Sequence, residues 1–370
     1  MTSDAATGCR LSFEAARRYR AEGKPVNKIN TNVNMMRARA VLTACSAVVA
    51  ATLCVAGNAW SQTIVMKLST ATLNDTQHEW MKRFAAAIEK NSNGRIKGEV
   101  YPASQLGAIP RQIEGTQLGS IQAWIGPPEF LVGVDTRYEL LSAPGVFTSD
   151  EQVIKTLGDP EFSKAFLALG ANKGLVGMTI FPSGPMAFTM RAPMRTLADI
   201  KGKKVRVLAS PFQMDQLTRL GGTGVPMTLG DVLPAIQQGT LDGAMSSVPV
   251  FTALQYYDAA KYITETGQSY IVSIAVVSKR WFDGLPADLQ GIVRATAQEL
   301  KDGINTHYRD FQVQQRKVWV EKGGELLSLS PADHAELIQK MAPVGPDIVK
   351  AKPELKPLWD SLLAAAKRNE

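Results

Sequence analysis

The chain has 370 residues, 45% of them hydrophobic and 20% charged, and its formal net charge is +7 at pH 7. This length and composition suit a globular protein large enough for two lobes. The positive charge would favour a polyanionic partner such as nucleic acid, but its distribution along the chain argues against one.

The N-terminal region resembles a targeting sequence. Residues 37–59 read RARAVLTACSAVVAATLCVAGNA, which is two arginines, a long uncharged apolar stretch and then small residues. This layout is typical of a secretory signal peptide cleaved after Ala59. The alternative is an N-terminal membrane anchor, because the apolar run approaches spanning length. Residues 1–34 form a polar preface, and we expect residues 1–59 to be removed and the mature protein to be periplasmic.

Removal of residues 1–59 changes the charge and the cysteine content of the chain. It leaves 33 basic and 31 acidic residues, a net charge of +2, which gives little electrostatic support for nucleic acid as a partner. Cys9, Cys45 and Cys54, the three cysteines of the chain, all lie in the removed part. A cysteine-free mature protein suits an oxidising compartment and excludes thiol catalysis and cysteine-ligated metals.

From residue 63 onwards, strand and helix patterns alternate. Residues 63–69 and 95–102 are predicted strands, and the helix between them begins at an Asp75-Thr76 cap and ends near Asn93. Further strands are predicted at 120–128, 174–181, 185–191, around Arg206, 244–248 and 269–278, and further helices at 110–118, 212–220, 228–238, 330–341 and 353–367. Repeated strand–helix units predict an α/β fold with mainly parallel sheets and right-handed crossovers.

One helical pattern is unusually long and runs from Pro286 to about Lys322. A helix of that length spans more than one lobe, so we interpret it as a strut between two of them. The predicted architecture is a two-lobed clamshell. Lobe I comprises residues 60–183 and 272–311, and lobe II comprises residues 184–271 and 312–370.

Patterns for enzyme chemistry are missing from the sequence. The chain has three histidines at scattered positions, no HExxH motif, no GxSxG elbow and no phosphate-binding loop. Asp242 and Glu129 are the carboxylates that could serve as a base for a periplasmic enzyme acting on organic acids, and Asp242 is better explained as a turn residue before Gly243. We expect no enzyme activity, no metal and no cofactor.

Arg206 lies between Val205 and Val207 in an apolar run. Burying an unpaired guanidinium is costly, so this position needs an explanation. Arg206 could be exposed on an edge strand, it could pair with a buried carboxylate of the chain, or it could bind the carboxylate of a ligand bidentately.

Five segments occur in an order that resembles one family of receptors. They read YPASQLG (101–107), RQIEGTQLGSI (111–121), LADIKGKKVRV (197–207), VPMTLGDVLPAIQQGTLDGAMSS (225–247) and GLPADLQGIV (284–293). Together they resemble the substrate-binding receptors of tripartite ATP-independent periplasmic (TRAP) transporters, of the dicarboxylate- and sialic-acid-receptor type. The resemblance implies a two-lobed α/β receptor that closes on a small organic acid and delivers it to a sodium-driven membrane permease. It also implies that Arg206, in the matching KGxKxRV strand, receives the ligand carboxylate.

The sequence departs from sialic-acid-type receptors at four positions. Met186 stands where they place another arginine, Met245 where they place an acidic residue, Ser246 where they place an asparagine, and Pro127 where they place an acidic residue. Met245 in place of an acidic residue makes a bound cation doubtful. The resemblance therefore implies a pocket with few polar groups, which are Arg206, Ser246 and Ser69, and with apolar walls from Trp124, Pro127, Met186, Phe188, Met227, Leu229 and Met245.

Apolar walls around one arginine favour a monocarboxylate with an apolar or aromatic remainder. A dicarboxylate would need a second cation, for which Arg191 and Arg111 are fallback candidates. The alternatives to a transport receptor are a ligand-sensing periplasmic subunit for a membrane kinase and the periplasmic enzyme described above. We expect a monomer that binds no nucleic acid.

Overall fold

A mixed β-sheet lies at the centre of the computed structural model, which describes residues 63–208 and 210–370. In this part of the chain the strands are β1 (Ile64–Ser69), β2 (Ile96–Tyr101), β3 (Ala123–Gly126), β4 (Leu175–Met190), β5 (Lys204–Val207), β6 (Thr223–Pro226), β7 (Gly243–Ser246), β8 (Tyr262–Ser278) and β9 (Glu325–Ser328). Their order is β2-β1-β3-β8-β4-β7-β5-β6, and β9 pairs with the beginning of β8. The predicted signal peptide and the three cysteines fall outside the described residues.

The two long strands β4 and β8 join two halves of the sheet. They pair with each other in antiparallel fashion, and β3 joins the end of β8 whereas β7 joins the end of β4. We call the side with β2, β1 and β3 the first half and the side with β7, β5 and β6 the second half. The pairs β1–β2, β1–β3, β5–β6 and β5–β7 are parallel, as repeated strand–helix units predict.

The helices pack on both faces of the sheet. They are α1 (Thr76–Asn91), α2 (Ile109–Leu118), α3 (Asp150–Gly158), α4 (Pro160–Leu167), α5 (Pro211–Arg219), α6 (Leu229–Gln237), α7 (Val248–Ala253), α8 (Lys279–Asp283), α9 (Ala287–Glu299), α10 (Lys301–Glu321), α11 (Pro331–Met341), α12 (Val344–Ala351) and α13 (Lys356–Arg368). Short 3₁₀ helices at Pro128–Leu131, Thr136–Ser142 and Tyr256–Asp258 connect some of them. No helix of the described ranges is both long and apolar enough to cross a bilayer.

Local sequence explains where α1 begins and which face it buries. The side chain of Asp75 accepts a hydrogen bond from the main-chain nitrogen of His78, which satisfies one of the free donors at the helix start. Trp80, Phe84 and Ile88 follow at intervals of four residues and are all buried, with the rings of Trp80 and Phe84 stacked at 4.8 Å. The predicted cap and apolar face are therefore confirmed.

The structure differs from the predicted elements in extent and in number. The strands predicted at 174–181 and 185–191 form the single strand β4, and the helix predicted from Pro286 to Lys322 is interrupted at Leu300, between α9 and α10. The strands β6 and β9 were not predicted. β6 reads TGVP, and its glycine and proline are residues that strands rarely contain.

Helix α10 contacts both halves of the fold. Near its start, Nη1 of Arg83 on α1 donates to the carbonyl oxygen of Gly303 at 2.9 Å. Near its end, Nε of Arg316 donates to Oε1 of Glu265 on β8 at 2.8 Å, and Trp319 meets Tyr257 edge to face. Helix α10, the second part of the predicted long helix, therefore bridges the two halves.

Candidate functional site

Arg206 is buried on β5, between β7 and β6. Its side chain is 1% exposed, which excludes the explanation of an exposed residue on an edge strand. Val205 and Val207 alternate with it and pack into the core on the opposite face of the sheet. Of the lysines and arginines in the described ranges, Arg206 is the one that is fully buried.

The guanidinium of Arg206 is partly satisfied by the main chain. Its Nε donates to the carbonyl oxygen of Met227 at 2.9 Å, which fixes the plane of the group. Its buried Nη2 has no hydrogen-bond partner among the described residues, and no carboxylate oxygen of those residues lies within 4.0 Å of it. Pairing with an internal carboxylate is therefore not what compensates this charge.

Glu129 is an acidic residue whose charge raises the pKa of Arg206. It is 1% exposed and lies in the 3₁₀ helix that follows β3. Its Oε1 accepts a hydrogen bond from the hydroxyl of Ser142, and its Oε2 is buried with no partner in the described part of the chain. Burial raises the pKa of Glu129 to about 7, although the Ser142 hydrogen bond and the charge of Arg206 both lower it.

Tyr256 also lies within electrostatic range of Arg206. Burial raises its pKa to about 12, and the guanidinium acts in the opposite direction. Its hydroxyl is buried and has no partner within residues 63–208 and 210–370. Burial lowers the pKa of Arg206, against the effects of Tyr256 and Glu129. Arginine nevertheless stays protonated in proteins, so the site keeps one positive charge.

Several other buried polar atoms that lie near the carboxyl ends of strands have no hydrogen-bond partner in the described part of the chain. Among the described residues these include Trp124 Nε1 on β3, Ser210 Oγ after β5 and Ser247 Oγ after β7; further ones, such as Trp319 Nε1, lie elsewhere. Native proteins pair nearly all buried polar groups, so such a group calls for an explanation. In α/β sheets ligands bind beyond the carboxyl ends of the strands, which makes this region the candidate binding site.

The structure places some of the predicted site residues on the face of Arg206. Ala244 pairs with Arg206 across β5 and β7, and Ser246, two residues further along β7, shares that face and is 4% exposed. Met227 contributes its carbonyl oxygen, and Leu229 begins α6 close by in sequence.

Three predicted residues lie on the other face of the sheet. Phe188 pairs with Met245 between β4 and β7, and both side chains pack with Val205 and Val207 in the core. Met186 is also buried in that core, and its carbonyl oxygen accepts a hydrogen bond from Thr266. A role of these three side chains in ligand contact remains a prediction.

The first half contributes Ser69, Trp124 and Pro127, which are all buried. Ser69 pairs with Trp124 across β1 and β3, and its hydroxyl donates to the carbonyl oxygen of Ala123 at 3.2 Å. The indole of Trp124 lies over Gly126, where a side chain would overlap the ring. Pro127 precedes the 3₁₀ helix that carries Glu129.

Other candidates from the sequence lie away from Arg206 or have structural roles. Arg191 and Arg111, the fallback cations, are exposed. Asp242 accepts a hydrogen bond from the main-chain nitrogen of Lys204 at 2.8 Å, which fits a turn residue. The described residues contain no cluster of three metal-ligating side chains.

Sequence reasoning underrated Glu129 and did not single out Tyr256. Glu129 was considered as an enzyme base, whereas the structure places it within electrostatic range of Arg206. The available signal was its position in IGPPEFL, where one carboxylate stands among apolar residues and prolines. Tyr256 carries no comparable signal, because tyrosine is common both in cores and at surfaces.

Comparisons with known proteins agree with the fold. The family model of bacterial extracellular solute-binding proteins, family 7 (DctP), matches residues 68–352. The C4-dicarboxylate-binding periplasmic protein DctP of Rhodobacter capsulatus is 26% identical over 312 residues, which cover 77% of this chain and 92% of that protein. The 2,3-diketo-L-gulonate-binding periplasmic protein YiaO of Escherichia coli is 27% identical over 226 residues, which cover 61% of this chain and 69% of that protein.

Solved structures of TRAP periplasmic solute-binding proteins share the fold. The protein from Desulfovibrio salexigens with bound orotic acid has a TM-score of 0.79 at 22% identity, covering 83% of this chain and 100% of that chain. The protein from Xanthobacter autotrophicus with bound β-D-galacturonate has a TM-score of 0.75 at 25% identity, covering 81% of this chain and 99% of that chain. The likeness confirms the predicted α/β receptor fold.

Proposed function

The chain belongs to the bacterial extracellular solute-binding proteins, family 7, and we propose that it captures a small organic acid by pairing the acid's carboxylate with Arg206. Proteins of this family are receptors of TRAP transporters and not enzymes, which confirms the resemblance in the sequence and the expectation that the chain is not an enzyme. After loss of residues 1–59 the receptor would act in the periplasm and deliver the acid to membrane permease subunits.

The observation that carries this proposal is the unpaired Nη2 of the buried Arg206. Its Nε is already held by the carbonyl oxygen of Met227, so the guanidinium is oriented before a ligand arrives. A carboxylate can accept two parallel hydrogen bonds from such a group. Because the site is shielded from water, these charge-assisted bonds would be stronger than at a surface.

The count of buried cations favours a monocarboxylate with an apolar or aromatic remainder. Arg206 is the one buried lysine or arginine of the described ranges, and a second ligand carboxylate would need a second cation to offset its desolvation. Trp124 and Leu229 would supply apolar contacts. The names of the relatives and of the solved structures give C4-dicarboxylates, orotic acid and galacturonate as ligands. All of these are organic acids, and their carbon skeletons differ.

Capture would involve closure of two lobes, residues 60–183 with 272–311 and residues 184–271 with 312–370. The long strands β4 and β8 run between the two halves of the sheet, and α10 contacts both. In the closed state, Trp124 and Glu129 from the first half and Arg206 from the second half would surround the acid and keep the new ion pair away from water.

A ligand screen followed by calorimetry tests the proposal. The secreted protein is screened by thermal shift against aromatic and branched monocarboxylates beside dicarboxylates, and the acids that bind are titrated into wild-type protein and the Arg206→Ala variant. We expect stoichiometric binding that Arg206→Ala weakens on the order of tenfold to several hundredfold. Arg191→Ala, which removes an exposed arginine, is the matched control and should bind like the wild type. Equal affinity of Arg206→Ala and wild type would disprove the assignment.

A further inference from the structure

Glu129 and Arg206 are oppositely charged buried groups that do not pair with each other. Each affects the pKa of the other, yet no oxygen of Glu129 lies within 4.0 Å of a nitrogen of Arg206. Each also keeps one buried atom, Oε2 and Nη2 respectively, without a partner among the described residues. Two buried groups of opposite charge, each with an unpaired atom, suggest that one ligand satisfies both.

Charge balance decides in which form Glu129 meets that ligand. Arg206 carries one positive charge at any relevant pH, and the carboxylate of a bound acid would neutralise it. An ionised Glu129 would then leave one uncompensated negative charge in a buried site, at a large cost in free energy. A neutral Glu129 leaves no net charge. Burial already raises its pKa to about 7, and a neighbouring ligand anion would raise it further.

We propose that Glu129 is a second ligand-binding residue, which contacts the acid held on Arg206 as a neutral carboxylic acid and donates its Oε2 proton to an oxygen of that acid. Its Oε1 is engaged by the hydroxyl of Ser142, so the proton belongs on Oε2. The inference rests on the proposed function, because it needs an acid on Arg206. It defines the bound species as a monocarboxylate together with one proton.

Few other groups act on this carboxyl. Ser142 donates a hydrogen bond to it from the 3₁₀ helix Thr136–Ser142, and the charge of Arg206 on β5 acts on it. Tyr256 acts on Arg206. The three histidines have other neighbours: His78 accepts from the main-chain nitrogen of Asn74, His307 stacks on Phe311, and His334 contacts the carbonyl oxygen of Thr266. The inferred pH dependence can therefore be assigned to Glu129 by substitution.

The expected signature is a coupling of affinity to proton uptake. If binding requires neutral Glu129, a pKa of about 7 in the free protein makes the affinity fall about tenfold between pH 6 and pH 8. The proton moves from solvent to Oε2 on binding. Glu129→Gln keeps the shape and a hydrogen-bond donor but cannot ionise, so its affinity should change less than twofold over the same range.

Calorimetry with three named probes tests this inference. Phenylglyoxylate, mandelate and 2-oxoisocaproate are titrated into wild type, Glu129→Gln and Arg206→Ala at pH 6 and pH 8, and phenylalanine is titrated as a comparison compound with an ammonium group. Two buffers of different ionisation enthalpy are used, so that the protons taken up can be counted. We expect wild type to take up close to one proton per ligand at pH 8 and Glu129→Gln to take up far less. If Glu129→Gln does not fold, the number of protons that the wild type takes up per bound ligand still tests the inference.

Four results would contradict the inference, and three of them separate it from the proposed function. A flat wild-type pH profile without proton uptake would overturn it, as would an equal slope in Glu129→Gln. Tighter binding of phenylalanine than of phenylglyoxylate would mean that an ionised Glu129 pairs with a ligand ammonium, which also overturns it. In these cases loss of binding in Arg206→Ala would leave the proposed function intact. Failure of all three acids to bind would overturn the proposed monocarboxylate and this inference with it.

Discussion

The Nε of Arg206 donates to the main-chain carbonyl oxygen of Met227 at 2.9 Å, so β5 and the connection between β6 and α6 jointly orient one buried guanidinium. The contact uses the one nitrogen that a bidentate pair formed by Nη1 and Nη2 does not need. It therefore orients the guanidinium and leaves Nη1 and Nη2 available for a ligand carboxylate.

This arrangement predicts that lysine cannot replace Arg206. A lysine ammonium is a point charge that cannot both hold the Met227 carbonyl and present two parallel donors. We expect Arg206→Lys to bind phenylglyoxylate about 10- to 100-fold more weakly than wild type in calorimetry. Arg195→Lys is the control, since Arg195 is largely exposed and paired with Glu325. Wild-type affinity in Arg206→Lys would show that charge alone suffices.

The pKa of Glu129 predicts how stability of the ligand-free protein depends on pH. Its pKa rises from 4.5 to about 7 on folding because the charged form is desolvated. Between these values the folded state holds a proton that the unfolded state has lost. The free energy of unfolding should therefore fall as pH rises from 4.5 to 7, by about 3 kcal/mol from this group alone.

Urea unfolding at pH 5 and pH 7.5 measures this contribution as the difference between wild type and Glu129→Gln. The variant lacks the titrating group, so its free energy of unfolding should fall by less over the interval. Parallel curves for the two proteins would contradict the prediction. Other titrating groups contribute equally to both proteins and cancel.

The sequence alone predicted the elements whose signals are local. The cap at Asp75 and the spacing of Trp80, Phe84 and Ile88 depend on residues within one helix, and they gave α1 correctly. The apolar neighbours of Arg206 likewise predicted a strand. The family motifs, found in order along the chain, predicted the fold and the receptor class, which the comparisons confirm.

Features that depend on distant contacts were not predictable in this way. Pro182 and Pro185 normally end a strand, yet β4 continues through them because β8 pairs along its length with register shifts at these points. Glu129 and Arg206 are 77 positions apart, and no periodicity relates them. Alternation along β7 places Met245 and Ser246 on opposite faces, which a list of matching family positions does not convey.

Gly126 should be intolerant of any side chain. It lies on β3, and a methyl group there would overlap the indole of Trp124, which is 1% exposed. We expect Gly126→Ala to lower the free energy of unfolding by about 1–3 kcal/mol in urea titrations. Gly133→Ala is the control, because nothing lies within 4 Å of the added methyl. Similar stability of both variants would argue against tight packing of Trp124 on β3.

Gly184 lies where β4 passes from one half of the sheet to the other. It pairs with Ile271 between two register shifts, and its φ of 154° is one that other residues rarely adopt. A methyl group on Gly184 would come within 2.6 Å of Cβ of Ser247, the residue that follows β7. Backbone strain and overpacking therefore act together at this site.

We expect Gly184→Ala to lower the free energy of unfolding by about 1–3 kcal/mol. Closure of the proposed lobes needs this crossing to bend, so phenylglyoxylate should also raise the melting temperature of the variant by less than that of the wild type. Gly158→Ala, at the end of α3 with nothing within 4 Å of the new methyl, is the matched control. Calorimetry separates the two effects, because a purely structural role would lower stability and leave the affinity per folded molecule unchanged. An affinity equal to that of Gly158→Ala would therefore show that Gly184 supports the sheet and takes no part in closure.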